Sequence, residues 1–193
     1  MRASGKTKQE ALNTTQLLTK AMTGKRVLVI DVDETLLNLE PVFFLKRFRK
    51  NYQDFGGRTV TFHDAKNKYY LAPRPRLKEF FAEAKKHFQL AAFSVVSKDI
   101  TQKKLKLLGL DTEFDKIYGE EDLLDKKKDL QKVAEDFNVP LTYVIAIDDK
   151  PEAFTEASNV IKVKPWFIGG NIDYEYQNNE DNLLGAFAKA LTV

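Results

Sequence analysis

Val27-Leu28-Val29-Ile30-Asp31-Val32-Asp33-Glu34-Thr35 is the stretch on which the fold turns. Four apolar residues in unbroken succession lack the alternation of a strand with one wet face, and the run stops abruptly at an acid. That is the pattern of a strand buried on both sides, as in a parallel sheet covered by helices. It recurs outward along the chain: Gln89 to Phe93 ends at Ser94, Thr142 to Ile147 ends at Asp148-Asp149, and Val160 to Val163 is a fourth run. Helical spacing fills the gaps, over Arg76 to Phe88, over Ile100 to Leu108 with Gly109 as its stop, and over Lys128 to Phe137 closed by Asn138 and Pro140. A last helix, about Asn182 to Leu191, sets Leu183, Leu184, Phe187 and Leu191 on one face. The alternation predicts an α/β fold, a central parallel sheet flanked by helices. Ligands of such sheets bind beyond the carboxyl ends of the strands, where Asp31, Ser94 and Asp148 fall.

With 193 residues, the expectation is a single domain from residue 26 to 193, preceded by a basic arm over residues 1 to 25 that is flexible or helical. Six cations, Arg2, Lys6, Lys8, Lys20, Lys25 and Arg26, precede Val27 against the single acid Glu10. The net charge of +3 therefore leaves about −2 on the rest. The basic balance belongs to the arm, which weakens a nucleic-acid reading of the body. The arm has no signal-peptide core, and its scarcity of acids also fits a mitochondrial presequence. The chain has no cysteine, which excludes disulfides, thiolate metal sites and cysteine nucleophiles and is compatible with a cytoplasmic or nuclear protein. No apolar run approaches the ~20 residues of a membrane span, so a soluble protein without membrane contact is expected.

Asp31 and Asp33, two residues apart in extended chain, project from the same side and can face one phosphate. One carboxylate can attack phosphorus and the other can protonate the leaving oxygen, then deprotonate the hydrolytic water. A plainer reading makes Asp33-Glu34-Thr35 the cap and first turn of a helix. Against it stands a second acidic strand end, Asp148-Asp149. Clustered carboxylates repel unless a cation joins them, and Mg²⁺ favours such oxygen ligands. The turn propensity of Asp148-Asp149-Lys150-Pro151 explains the turn alone. Ser94 could likewise be a helix cap, and Lys126, Lys127 and Lys128 a solvated run. If one lysine is catalytic, register favours Lys128, at the start of its predicted helix.

These motifs resemble the four of the haloacid dehalogenase superfamily: Asp31-Val32-Asp33-Glu34-Thr35 the first, Phe93-Ser94 the second, Lys128-Asp129-Leu130 the third, Asp148-Asp149 the fourth. Within it, Arg74-Pro75 with Leu77, Glu79, Phe80 and Phe81, the Ile147-Asp148-Asp149-Lys150-Pro151 segment and Pro165-Trp166-Phe167 resemble the small phosphatases that act on the RNA polymerase II C-terminal domain, the NLI-interacting-factor-like family. The resemblance implies a Rossmann-like haloacid dehalogenase fold, with Asp31 as nucleophile and Asp33 as general acid and base. It also implies Mg²⁺ held by Asp31, the Asp33 carbonyl and Asp148, with Asp149 acting through water. Ser94 and Lys128 would engage the phosphoryl group, and Thr35, counted with them as substrate-binding, would chiefly brace the loop. Val95-Val96 after Ser94 and the stretch from Pro41 to Phe55 depart from the family pattern.

The segments from Ser94 to Lys128 and from Lys128 to Asp148 are too short for a large cap, so the site is expected to be roofed only by a small helix and β-hairpin insertion over about residues 38–72. Its hairpin joins Arg58 to His63 with Lys68 to Leu71 through a turn at Asp64 to Asn67. An open site suits a phosphoserine or phosphothreonine on a flexible protein segment. Lys46, Arg47, Arg49 and Lys50, interleaved with Phe43, Phe44, Phe48 and Tyr52, instead suit a nucleic-acid end. A small sugar phosphate and a non-catalytic protein-interaction module are the remaining alternatives. His63 and His87 lack metal-ligand spacing, and Trp166 reads as core.

Overall fold

The computed structural model describes residues 24–41, 60–63, 68–169 and 173–193. In chain order its regular elements are β1 (Arg26–Ile30), β2 (Leu37–Pro41), β3 (Val60–His63), β4 (Lys68–Pro73), α1 (Leu77–His87), β5 (Phe88–Phe93), α2 (Lys98–Leu108), β6 (Lys116–Tyr118), β7 (Leu123–Leu124), β8 (Lys127–Lys128), α3 (Leu130–Phe137), β9 (Val144–Asp148), β10 (Val160–Lys162), α4 (Asp173–Tyr176) and α5 (Leu183–Thr192). The central sheet runs β10-β9-β1-β5-β6 and is parallel throughout.

β1 sits in the middle of this sheet, which explains its unbroken apolar run. Leu28 and Ile30 pack on one face with Phe80 and Phe81 of α1 and Phe187 of α5, and Val27 and Val29 pack on the other with Leu130 and Val133 of α3. Successive strand residues point to opposite faces, so both sets must be apolar. In register, Ile30 lies opposite Ala92 on one side and Ile147 on the other. The chain therefore leaves β1, β5 and β9 at one edge of the sheet, carrying Asp31, Ser94 and Asp148 together.

After Asp31 the chain does not begin a helix. Leu36 N and Leu37 N both donate to Val32 O, and Glu34 takes a left-handed φ of 65° in a tight turn that leads into β2. The helix-cap reading of Asp33-Glu34-Thr35 is thus not realised. β2 pairs with β4 and β4 with β3, all antiparallel, so the expected hairpin strands are joined by a third strand that the sequence reading missed. This small sheet packs Leu37, Phe62 and Leu71 against Leu105 of α2. The arm over residues 1–23, the cationic aromatic residues within 42–59 and the expected turn at 64–67 lie outside the described residues.

Two further expectations need correction. The third helix does not open on Lys128: it begins at Leu130, with Asp129 as the cap whose side chain accepts from Gln131 N at 2.9 Å. Asp125 and Lys126 both adopt positive φ, 49° and 66°, the requirement of a two-residue hairpin turn, and they fold Lys127–Lys128 back antiparallel to Leu123–Leu124. On α5 the buried face is Leu183, Ala186, Phe187 and Ala190, while Leu191 is exposed. Strand β6, with only Tyr118 buried, was also missed.

Candidate active site

Lys128 is the centre of the strand-end cluster. The β7–β8 ribbon, tied to the loop after β9 by a bridge to Phe154, carries its side chain inward until it is 2% exposed. Nζ donates to Asp31 Oδ1 at 2.5 Å and to Asp148 Oδ2 at 2.6 Å, and lies 5.1 Å from the centre of the Phe154 ring. One cation is shared by two buried carboxylates. The backbone N–H of Lys150 donates to Asp148 Oδ1 at 2.7 Å, so both oxygens of Asp148 are held.

Asp31, Asp148 and Asp149 are all buried, and one carboxylate oxygen from each falls within 4.8 Å of the others. Burial pushes the Asp31 carboxyl up, Lys128 pulls it down and the neighbouring Asp148 and Asp33 push it up again, which together leave it raised to about 7. Asp149 is also raised, by burial first and then by Asp148. For Lys128, burial favours the neutral amine, but the two carboxylates outweigh it and the net shift is upward. Lys150 Nζ lies 3.5 Å from Asp149 Oδ2, so the three carboxylates face two ammonium groups and remain in excess. With oxygen donors only and no cysteine in the chain, the chemistry of this cluster fits a hard divalent cation.

Asp33 faces elsewhere. Its carboxylate accepts from Ser94 Oγ at 3.2 Å on Oδ2 and from Lys104 Nζ at 2.6 Å on Oδ1. Ser94 is no helix cap: Ser97 occupies that position for α2, while Ser94 Oγ accepts from Val96 N at 3.1 Å. Thr35 is wholly buried, with Oγ1 3.4 Å from Asp149 Oδ1, and links the first acidic loop to the second. Across the mouth, Lys150 Nζ bonds Glu34 Oε2 at 2.8 Å.

A buried arginine fixes this loop from beneath. Arg74 makes a two-pronged pair with Glu175 of α4, at 2.8 Å for both Nε to Oε2 and Nη2 to Oε1, and also donates to the carbonyls of Thr35 and Lys164. Trp166 N donates to Glu34 O at 2.6 Å and its indole N–H to Ala72 O at 3.0 Å, so the tryptophan is core, as expected. His63 and His87 are exposed and outside the acid cluster. The sequence reading missed Lys104, Glu175 and the Glu34–Lys150 pair. In sequence Lys104 is one of three lysines among Lys103, Lys104 and Lys106, and nothing local marks it as the buried one.

The same fold occurs in solved structures of low sequence identity. Fcp1, an essential RNA polymerase II CTD phosphatase, superposes with a TM-score of 0.62 at 20% identity, over 82% of this chain and 46% of its own. The fission yeast Fcp1 variant bound to beryllium fluoride gives 0.61 at 20%, over 82% and 45%. A putative β-phosphoglucomutase from Thermotoga maritima gives 0.54 at 15%, over 86% and 98%. The chain thus spans less than half the length of the two Fcp1 structures. No curated protein matches in sequence. The model of the NLI interacting factor-like phosphatases matches residues 26–191, which takes in the whole sheet and every residue of the strand-end cluster, and the chain belongs to that family.

Proposed function

We propose that the chain is a Mg²⁺-dependent phosphomonoester hydrolase that acts through an aspartyl-phosphate on Asp31, with a phosphoserine or phosphothreonine of a protein segment as substrate. The observation that carries this reading is Lys128, sealed from water and shared between Asp31 and Asp148 at adjacent strand ends. A purely structural role would be served at lower cost by apolar residues, because buried ions are expensive to desolvate.

Lys128 occupies Oδ1 of Asp31 and so fixes the carboxylate, leaving Oδ2 for attack on phosphorus. Ser94 turns its hydroxyl from Asp33 to a phosphoryl oxygen. Asp33 gives its proton to the departing seryl or threonyl oxygen, then takes one from the water that hydrolyses the aspartyl-phosphate. Mg²⁺, held by Asp31, the Asp33 carbonyl and Asp148, with Asp149 through water, would offset the charge of phosphate and acids together. Positioning and electrostatics of this kind suit phosphoryl transfer.

For the substrate class, support comes from the family and from the short connection between Ser94 and Lys128. Between Ser94 and Lys128 lie only α2, β6, short turns and the β7–β8 ribbon, with no cap domain. Val95, 51% exposed beside Ser94, and Phe167, 41% exposed beside Trp166, offer apolar contacts to a peptide. Fcp1, which shares the fold, acts on the CTD of RNA polymerase II. Phosphate release by wild type and Asp31→Asn, with Mg²⁺, across phosphopeptides, terminally phosphorylated oligonucleotides and sugar phosphates tests the proposal. Release from phosphopeptides that Asp31→Asn abolishes is expected; a broad phosphopeptide panel left intact would contradict it.

A further inference from the structure

The buried face of α2 consists of Thr101, Lys104 and Leu105. An ammonium is out of place there: Lys104 is 2% exposed, and a leucine or methionine would fill the space without the cost of desolvating a charge. Among the described residues its ion-pair partner is Asp33, with Nζ 2.6 Å from Oδ1. The Asp33 side chain is 28% exposed, so an acid at the rim of the site has its counter-ion inside the protein wall. Its other oxygen, Oδ2, faces the Ser94 hydroxyl.

We propose that Lys104 is a positioning residue for Asp33, tethering Oδ1 so that Oδ2 is presented to the leaving group. This rests on the reading of Asp33 as proton donor. An untethered carboxylate at the rim would rotate into water. When a phosphoryl group takes the Ser94 hydroxyl away from Oδ2, Lys104 is the contact that still holds Asp33 in place. In the step it serves, an Asp31 oxygen forms a bond to phosphorus, the bond from phosphorus to the seryl oxygen breaks, and the proton on Asp33 Oδ2 moves to that oxygen.

The dependence on leaving group tests this. kcat/KM reports events up to departure of the leaving group; nitrophenolate leaves without a proton, whereas a seryl oxygen needs one. Wild type, Lys104→Met, Lys104→Arg, Asp33→Asn and Asp33→Asn/Lys104→Met are compared with Mg²⁺ on a phosphoserine peptide and on p-nitrophenyl phosphate. Lys104→Met is expected to lower kcat/KM about 100-fold on the peptide and less than about 10-fold on p-nitrophenyl phosphate, as loss of acid catalysis would. Lys104→Arg should restore most of the peptide activity. In the Asp33→Asn background, removing Lys104 should cost nothing more, because residues acting as a unit are not additive. The double variant removes both charges together, which keeps the test valid even if the unpaired acid of Lys104→Met unfolds the protein. Equal losses on both substrates, or a further loss in the double variant, would overturn the tether. Asp33→Asn equal to wild type on both substrates would overturn the tether and the reading of Asp33 beneath it.

Discussion

Lys128 and Asp31 are 97 residues apart in the chain and 2.5 Å apart in the fold, and both are buried. The pair holds because two parallel strands and a two-residue hairpin bring it together. Its second bond, to Asp148, makes the ammonium the one cation bonded to either acid among the described residues.

Removal of that cation should be costly and partly reversible. Lys128→Met leaves two buried carboxylates facing each other, so unfolding free energy should fall by about 3–5 kcal/mol in metal-free buffer. Added Mg²⁺ or Ca²⁺ should raise the melting temperature of Lys128→Met more than that of wild type, because a divalent ion replaces the lost charge. Calorimetric melting with and without the ion decides it; equal shifts would count against a cation site in the cluster.

The pH dependence follows from Asp31. Its folded-state carboxyl is raised to about 7 from an ordinary 3.8, so the folded protein holds that proton more tightly than the unfolded chain. The associated stability is complete below about pH 4 and is lost as pH rises through about 7. Asp31→Asn, which never ionises, escapes this loss. Relative to metal-free wild type, it should gain on the order of 2 kcal/mol between pH 5 and pH 8. Urea unfolding at both pH values measures the gain, and a difference that does not change with pH would contradict the burial of Asp31 as a charge.

Arg74 and Glu175 hold the acidic loop without touching the acids themselves. Glu175→Gln or Arg74→Met should destabilise the protein by about 3–5 kcal/mol, since each leaves a buried charge unpaired. Replacing both with apolar residues should cost less than the two single losses combined. Additive losses in a double-mutant cycle would show that the pair is not coupled.

Asp149, tied to Thr35 and Lys150, should tune the cation site instead of forming bonds in the reaction. Asp149→Asn is expected to weaken Mg²⁺ binding by about 10–100-fold in titration calorimetry without substrate, the scale of supporting residues around a metal. Unchanged affinity would remove it from the site.

The strands that matter most were readable because burial on both faces leaves an unbroken apolar run, as at Val27–Ile30 and Val144–Ile147. The acids at their ends were readable because two acidic strand ends in one chain are hard to explain by turns alone. β6 escaped notice because three residues with one buried side chain carry no period. Lys128 was assigned to a helix because the positive φ values of Asp125 and Lys126 leave no mark on composition. Lys104 and Glu175 were invisible for a different reason: each is buried by a partner, Asp33 or Arg74, 71 or 101 residues away. Local sequence cannot register that distance.

The most direct test of Asp31 as nucleophile uses Asp33→Asn with p-nitrophenyl phosphate and Mg²⁺. This substrate needs no acid to leave, while loss of the base at Asp33 should slow hydrolysis of the aspartyl-phosphate so that it accumulates. Acid quenching, borohydride reduction and peptide mapping by mass spectrometry should then find Asp31 converted to homoserine, in step with a stoichiometric burst of nitrophenol. A burst with Asp31 unmodified, or turnover by Asp31→Asn at the wild-type rate, would contradict the covalent mechanism.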